Sequence, residues 1–117
     1  MEPSFYQTEN GVLLSLCGGA PGLEKLEPGT SDGAAEKHVP AVETDGSRVQ
    51  VSVGSVLHPM TEEHSITWIY LQTCCGGQLH YLEPGQEPVA EFILAPEEKP
   101  VAAYAYCNLH GFWKTAL

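Results

Sequence analysis

Three short stretches of this chain carry side chains that bind transition metals: His38, then His58-Pro59-Met60-Thr61-Glu62-Glu63-His64, then Cys107-Asn108-Leu109-His110. They hold four of the five histidines and one of the four cysteines. Imidazole nitrogen and thiolate sulfur together favour iron, copper or zinc over magnesium or calcium. Five such donors exceed the four that a structural zinc takes, which points to a five-coordinate redox metal with one face open. Each piece is weak alone. Cys107 and His110 make a C-x2-H at the end of an expected strand, and a tight turn after Cys107 is expected to aim backbone N–H groups at its sulfur. His58 and His64 are separated by five residues that include a proline; on a loop both can reach one ion, whereas on a helix they would diverge.

The remaining candidates read as structure. His80, between Leu79 and Tyr81, is expected on the exposed face of a strand. Cys74-Cys75-Gly76-Gly77 reads as a hairpin loop with two reduced, non-ligating thiols, because a vicinal disulfide is strained. Trp68, Phe92, Tyr104 and Phe112 read as core or site walls, and Met60 as packing rather than an axial thioether.

The elements that must position the donors read as β. Val49, Val51 and Val53 alternate with Gln50, Ser52 and Gly54, the period-two pattern of a half-buried strand. Ile66 to Leu71 predicts a strand covered on both faces. Leu79 to Leu82 and Val89 to Leu94 follow, with Glu83-Pro84-Gly85-Gln86 as a turn, and Val101 to Tyr106 runs straight into Cys107. Short strands punctuated by Gly and Pro predict a sandwich or small barrel. Metal residues on strand ends and loops fit a rigid β scaffold presenting function at one end. Residues 1–30 are weakly patterned: Gly11 to Cys17 predicts one short strand, Gly18 to Gly22 a turn, and Pro28 to Gly33 a linker with a boundary near residue 30.

At 117 residues the chain is one domain, or one domain with a small appendage. A formal charge of −10 argues against a nucleic-acid partner. No apolar run approaches the roughly 20 residues of a membrane span, and Met1-Glu2-Pro3-Ser4-Phe5 lacks the start of a signal peptide. A cytoplasmic protein is expected.

Four segments taken together, Glu36-Lys37-His38-Val39-Pro40, Val53 to Met60, Glu63 to Ile69 and Tyr106 to Lys114, resemble superoxide reductase of the desulfoferrodoxin and neelaredoxin family. The resemblance covers residues 31–117 and implies an immunoglobulin-like β-sandwich holding one mononuclear non-haem iron. It implies His38, His58, His64 and His110 as equatorial ligands and Cys107 as the axial thiolate. Glu36 matches the family's glutamate that can occupy the sixth position in the oxidised state, and Lys37 the lysine beside the open face. The implied activity is one-electron reduction of superoxide to hydrogen peroxide, a detoxification, with a small electron donor such as rubredoxin. The sandwich edges and the residual amino-terminal module make a homodimer reasonable. Leu23-Glu24-Lys25-Leu26 with Gly29-Thr30 resembles the end of a desulforedoxin-type module. Residues 1–30 keep only Cys17, too few thiols for that module's tetrathiolate iron. The competing expectation is an electron-transfer protein of cupredoxin type. Such sites use two histidines, one cysteine and a weak axial ligand, so four histidines count against it.

Overall fold

The computed structural model describes residues 2–16, 19–31 and 37–117, so Glu36 and Cys17 lie outside the described residues. Every element among them is a strand: β1 (Ser4–Thr8), β2 (Gly11–Ser15), β3 (Glu24–Lys25), β4 (Pro40–Asp45), β5 (Arg48–Val53), β6 (Ile66–Thr73), β7 (Gly76–Tyr81), β8 (Val89–Ile93), β9 (Pro100–Cys107) and β10 (Gly111–Ala116). No helix is long and apolar enough to cross a membrane. The strands form three sheets ordered β2-β1-β3, β10-β9-β6-β7 and β4-β5-β8.

Period-two alternation decides how the sheets stack. On β5 the expected alternation holds, with Val49, Val51 and Val53 buried. They face Ala90 and Phe92 of their own sheet's β8, and Ile69, Leu71, Ala103, Ala105 and Cys107 from β6 and β9 across the interface. This is the aliphatic core of a two-sheet sandwich of immunoglobulin type. The other face of β6 and β9 is aromatic. Tyr70, Ala102 and Tyr104 pack there with Phe112 of β10 and Phe5 of β1, and Trp68 and Tyr106 flank them. The strand read as covered on both faces is therefore covered by the second sheet on one side and by the amino-terminal sheet on the other. Ile66 should follow the even-numbered aromatic face, yet it lies in the aliphatic core. A register shift between Ile66 and Trp68 resets the alternation. The same shift sets Ile66 directly opposite Cys107.

Several expectations need correction. The strand read as Gly11 to Cys17 is β2, which ends at Ser15, and it pairs with β1, a strand the weak patterning hid. β4 and β10 were likewise not expected. Gly76 and Gly77 are not loop residues but the first two positions of β7, leaving Cys74 and Cys75 as the turn. Gly29, read as linker, is hydrogen-bonded to β10: its N–H donates to Phe112 O (2.9 Å) and its carbonyl accepts from Lys114 N–H (2.8 Å). A side chain there would collide with the Trp113 indole, 2.7 Å from where a Cβ would sit.

Candidate metal centre

Cys107 ends β9 at the rim of the sandwich and is fully buried. The next residues turn sharply into β10, and Gly111 closes the turn at φ 83°, a backbone conformation few side chains tolerate. His110 is thereby brought back beside Cys107, with His110 Nδ1 3.8 Å from Cys107 Sγ. His58 is buried and follows the β5 strand end. Its N–H donates to Val53 O (2.7 Å), and its Nδ1 bonds Pro59 O at 2.7 Å. A carbonyl only accepts, so Nδ1 carries the proton and Nε2 is left as an acceptor, 3.4 Å from Cys107 Sγ. His64 closes a turn with Thr61, whose hydroxyl both accepts from His64 N–H (3.1 Å) and donates to His64 O (3.3 Å). His38 precedes β4, and its Nε2 lies 3.0 Å from His110 Nδ1.

The four imidazoles form a near-square. Ring centroids around its edges are 4.8 Å (His38–His58), 4.5 Å (His58–His64), 5.0 Å (His64–His110) and 4.8 Å (His110–His38), with a diagonal of 6.4 Å between His38 and His64. The four edges meet at steep angles, so ring nitrogens rather than ring faces converge. The Cys107 sulfur contacts His58 and His110, the other diagonal pair, from the buried side. One donor atom from each of the five residues lies within 4.8 Å of every other.

These residues fit a transition metal. Metal–nitrogen bonds of ~2.1 Å put neighbouring corners of a square ~3.0 Å apart, and His38 Nε2 and His110 Nδ1 are at 3.0 Å. His64 Nε2 is buried with no hydrogen-bond partner among the described residues, an orphan that ligation would satisfy. Burial lowers the His58 pKa from 6.5 to about 4, with the charges of His64, His38 and His110 adding to it and the Pro59 bond opposing. His64 is lowered in turn by burial, then by His110, His38 and the Lys37 ammonium. Neutral imidazole is the form that ligates. Four imidazoles and one thiolate suit iron. His110 and Lys37 are exposed.

Each expected ligand is thus part of the cluster. Lys37 is exposed and its ammonium acts on His64 through charge, and Glu36 lies outside the described residues. His80 is exposed on β7 beside Phe92, away from the cluster. Met60 packs on the aliphatic core and its sulfur accepts from Ile66 N–H (3.3 Å). Trp68, Phe92, Tyr104 and Phe112 belong to the two cores. The site wall is instead Trp113, stacked on His38 at 4.8 Å and 17°. Gly29 lies close against the same indole.

Asn108 was also missed. Its Oδ1 accepts from Ser65 N–H (3.0 Å), its Nδ2 donates to Glu63 O (3.0 Å), and its own N–H donates to Ser65 O (3.1 Å). That last bond means the Asn108 amide serves the segment after His64 and not the sulfur. Only its place between Cys107 and His110 marked it in the sequence.

Residues 30–116 match the desulfoferrodoxin family. The desulfoferrodoxin of Nitratidesulfovibrio vulgaris is 46% identical over 99 residues, 85% of this chain and 76% of that protein. The superoxide reductase of Pyrococcus horikoshii is 37% identical over 102 residues, 73% of this chain and 89% of its own. Among solved structures, the superoxide reductase from Treponema pallidum superposes with a TM-score of 0.84 at 38% identity, covering 97% of each chain. The one-iron enzyme of Giardia intestinalis superposes at 0.60 and 40% identity, covering 70% of this chain and 97% of its own. The cluster, the sandwich that carries it and these likenesses agree: the chain belongs to the desulfoferrodoxin family of superoxide reductases.

Proposed function

We infer that the chain has the activity of its family: it is a superoxide reductase, taking superoxide, one electron and two protons to hydrogen peroxide. The observation that carries this is the square of four imidazoles over one buried thiol. In this reading His38, His58, His64, His110 and Cys107 would together hold a single iron. When bound there, iron would supply the electron that reduces the anion. The chain's residues do the rest. Cys107 presents an electron-rich thiolate from the dry side of the square. The His58–Pro59 bond fixes one tautomer and ring orientation of His58, and Trp113 stacking helps orient the His38 ring.

Lys37 answers the problem posed by the net charge. A unit charge at ~4 Å attracts an anion by about 4 kcal/mol at an effective dielectric of 20, an upper bound at an exposed site. Charges beyond about 8–10 Å are largely screened. Lys37, whose charge acts on His64, is proposed to outweigh a diffuse −10 at the site. With His110 exposed, water reaches the cluster as the proton source. Glu36 precedes Lys37 and is proposed, on the strength of the Glu36-Lys37-His38-Val39-Pro40 segment, as a carboxylate that would ligate the iron in its oxidised state.

The electron donor is proposed to be a small carrier of rubredoxin type. Val56, Leu57 and Leu109, all more than half exposed, flank the ligands and offer an apolar surface for it. Residues 1–30 are proposed to be a desulforedoxin-like module that has lost its iron site. The match to the Treponema pallidum enzyme over nearly the whole chain supports an extension of this kind in a relative. A homodimer in the cytoplasm completes the proposal.

An iron assay paired with the visible spectrum of the oxidised protein tests the reading. About one iron per chain is expected on a five-donor site, with a thiolate-to-ferric band that disappears in Cys107→Ser. Copper in place of iron would favour electron transfer, and absence of metal after reconstitution would overturn the assignment.

A further inference from the structure

We propose that Cys74 and Cys75 form a second, peroxide-reactive site that reduces hydrogen peroxide by closing a reversible vicinal disulfide.

The pair occupies the two-residue turn between β6 and β7, where Thr73 pairs with Gly76. Both thiols are exposed, and their sulfurs are 3.1 Å apart. They open onto a cleft of about 550 Å³ lined in part by Leu16, Tyr70 and Gln72. The turn is pinned to the segment before β9. Cys74 N–H donates to Lys99 O (2.9 Å), and Lys99 N–H donates to Cys74 Sγ (3.3 Å). Beneath them Thr73 Oγ1 donates to the Glu98 carboxylate (2.5 Å) and accepts from Cys75 N–H (3.3 Å). The two sulfurs are thus held together by a bonded frame.

Their environments divide the labour. The Lys99 amide and the Cys75 thiol both bond the Cys74 sulfur and lower its pKa, against a smaller opposing effect of Glu98. Cys75 is raised, first by its bond to Cys74. Thiolate is the nucleophile, and a low-pKa, accessible cysteine beside a second thiol is the arrangement of peroxide-sensing pairs. The Cys74 thiolate attacks one oxygen of hydrogen peroxide, the O–O bond breaks, and the hydroxide released takes up a proton as water. Cys75 sulfur then displaces the second oxygen from the Cys74 sulfenic acid, also as water. Two thiols are oxidised to one disulfide, and one peroxide is reduced to two waters. Adjacent Cα atoms lie 3.8 Å apart across a trans peptide. That is below the usual span of a disulfide, so the product is strained and readily reopened by a cellular dithiol.

The supply of peroxide rests on the superoxide reductase reading. β6 is eight residues long, so the pair lies about 25 Å from the metal end at ~3.3 Å per residue. Product therefore reaches it through solvent.

The test uses freshly reduced, iron-loaded full chain given a small excess of hydrogen peroxide. Cleavage after Glu63 and Glu91 isolates both thiols from Cys17 and Cys107 for mass analysis. The expected peptide is lighter by two hydrogens, and a dithiol reductant restores it. Cys75→Ser should stop at a Cys74 sulfenic acid trapped by dimedone, and Cys74→Ser should lose the reaction. An unchanged peptide, irreversible sulfinic or sulfonic acid, disulfides between chains, or equal reactivity of the two single variants would overturn the proposal. The visible thiolate band of the same samples reports the iron separately, so failure at either site is read independently.

Discussion

The two ends of β6 carry sulfur in opposite settings. At the Ile66 end Cys107 is fully buried, faces His58 and His110, and sits under a square of imidazoles. At the Thr73 end Cys74 and Cys75 are exposed and face each other, with the Lys99 amide on the Cys74 sulfur and the Glu98 carboxylate nearby. The same element thus serves two chemistries. Where nitrogen donors converge on a dry thiol, the sulfur is placed to ligate a metal and is shielded by the core. Where a thiol meets water and a second thiol, it is a nucleophile. What differs is the set of segments brought to each end: the loops after β5 and β9 at one, the segment before β9 at the other.

That contrast can be broken most severely through Asn108, which ties the His64 loop to the Cys107 turn by two side-chain bonds. Asn108→Ala should cut iron affinity by about 10–100-fold, the usual effect of removing a residue that orients metal ligands. Competition with a chelator measures it. The thiol pair should titrate as before; equal damage at both ends would mean that Asn108 serves general stability.

Next in size is Gly29→Ala. The new methyl meets the indole that stacks on His38. Overpacking of this kind costs about 1–3 kcal/mol, readable by urea unfolding. A shift of the visible band should accompany it, while Cys74 and Cys75 are undisturbed. A band unmoved despite lost stability would show that the stack does not position His38.

Lys37→Ala should slow the reaction of the ferrous protein with superoxide and flatten its dependence on ionic strength, as pulse radiolysis records. Second-order rates equal to those of the parent would remove Lys37 from the mechanism.

The smallest effect concerns the metal-free protein. His58 titrates at 6.5 when unfolded and at about 4 when folded. Between those values the unfolded chain binds a proton that the folded chain does not. Stability is therefore fully present above pH 6.5 and falls as pH drops toward about 4. His64, shifted the same way by burial, adds to the slope. Urea midpoints across that window check it, and a flat profile would mean the imidazoles are protonated in the folded apo form.

Much of the sandwich was legible because burial there is written with period two. Val49, Val51 and Val53 declare one face, and the unbroken run from Ile66 declares two. β1 escaped because its five residues carry only two buried side chains, Phe5 and Tyr6, which are adjacent and not alternating. β10 escaped because Phe112 and Trp113 face opposite ways, one into the aromatic core and one onto His38. The site's donors were readable as residue types. Their supports, Asn108, Trp113 and Gly29, were not, because each acts on a segment distant in the chain: Asn108 on Ser65, Trp113 on His38, Gly29 on β10.

The sequence by itself determined which donors exist, their order, and the β alternation that builds a rigid frame between them, because ligand chemistry and strand period are local properties. The tertiary structure alone decided which sulfur is buried, which imidazole nitrogen faces the centre, and which thiols are left in water. Those outcomes depend on strand register and on hydrogen bonds between loops far apart in the chain, and one residue of slippage at Ile66 would have turned Cys107 toward a different neighbour.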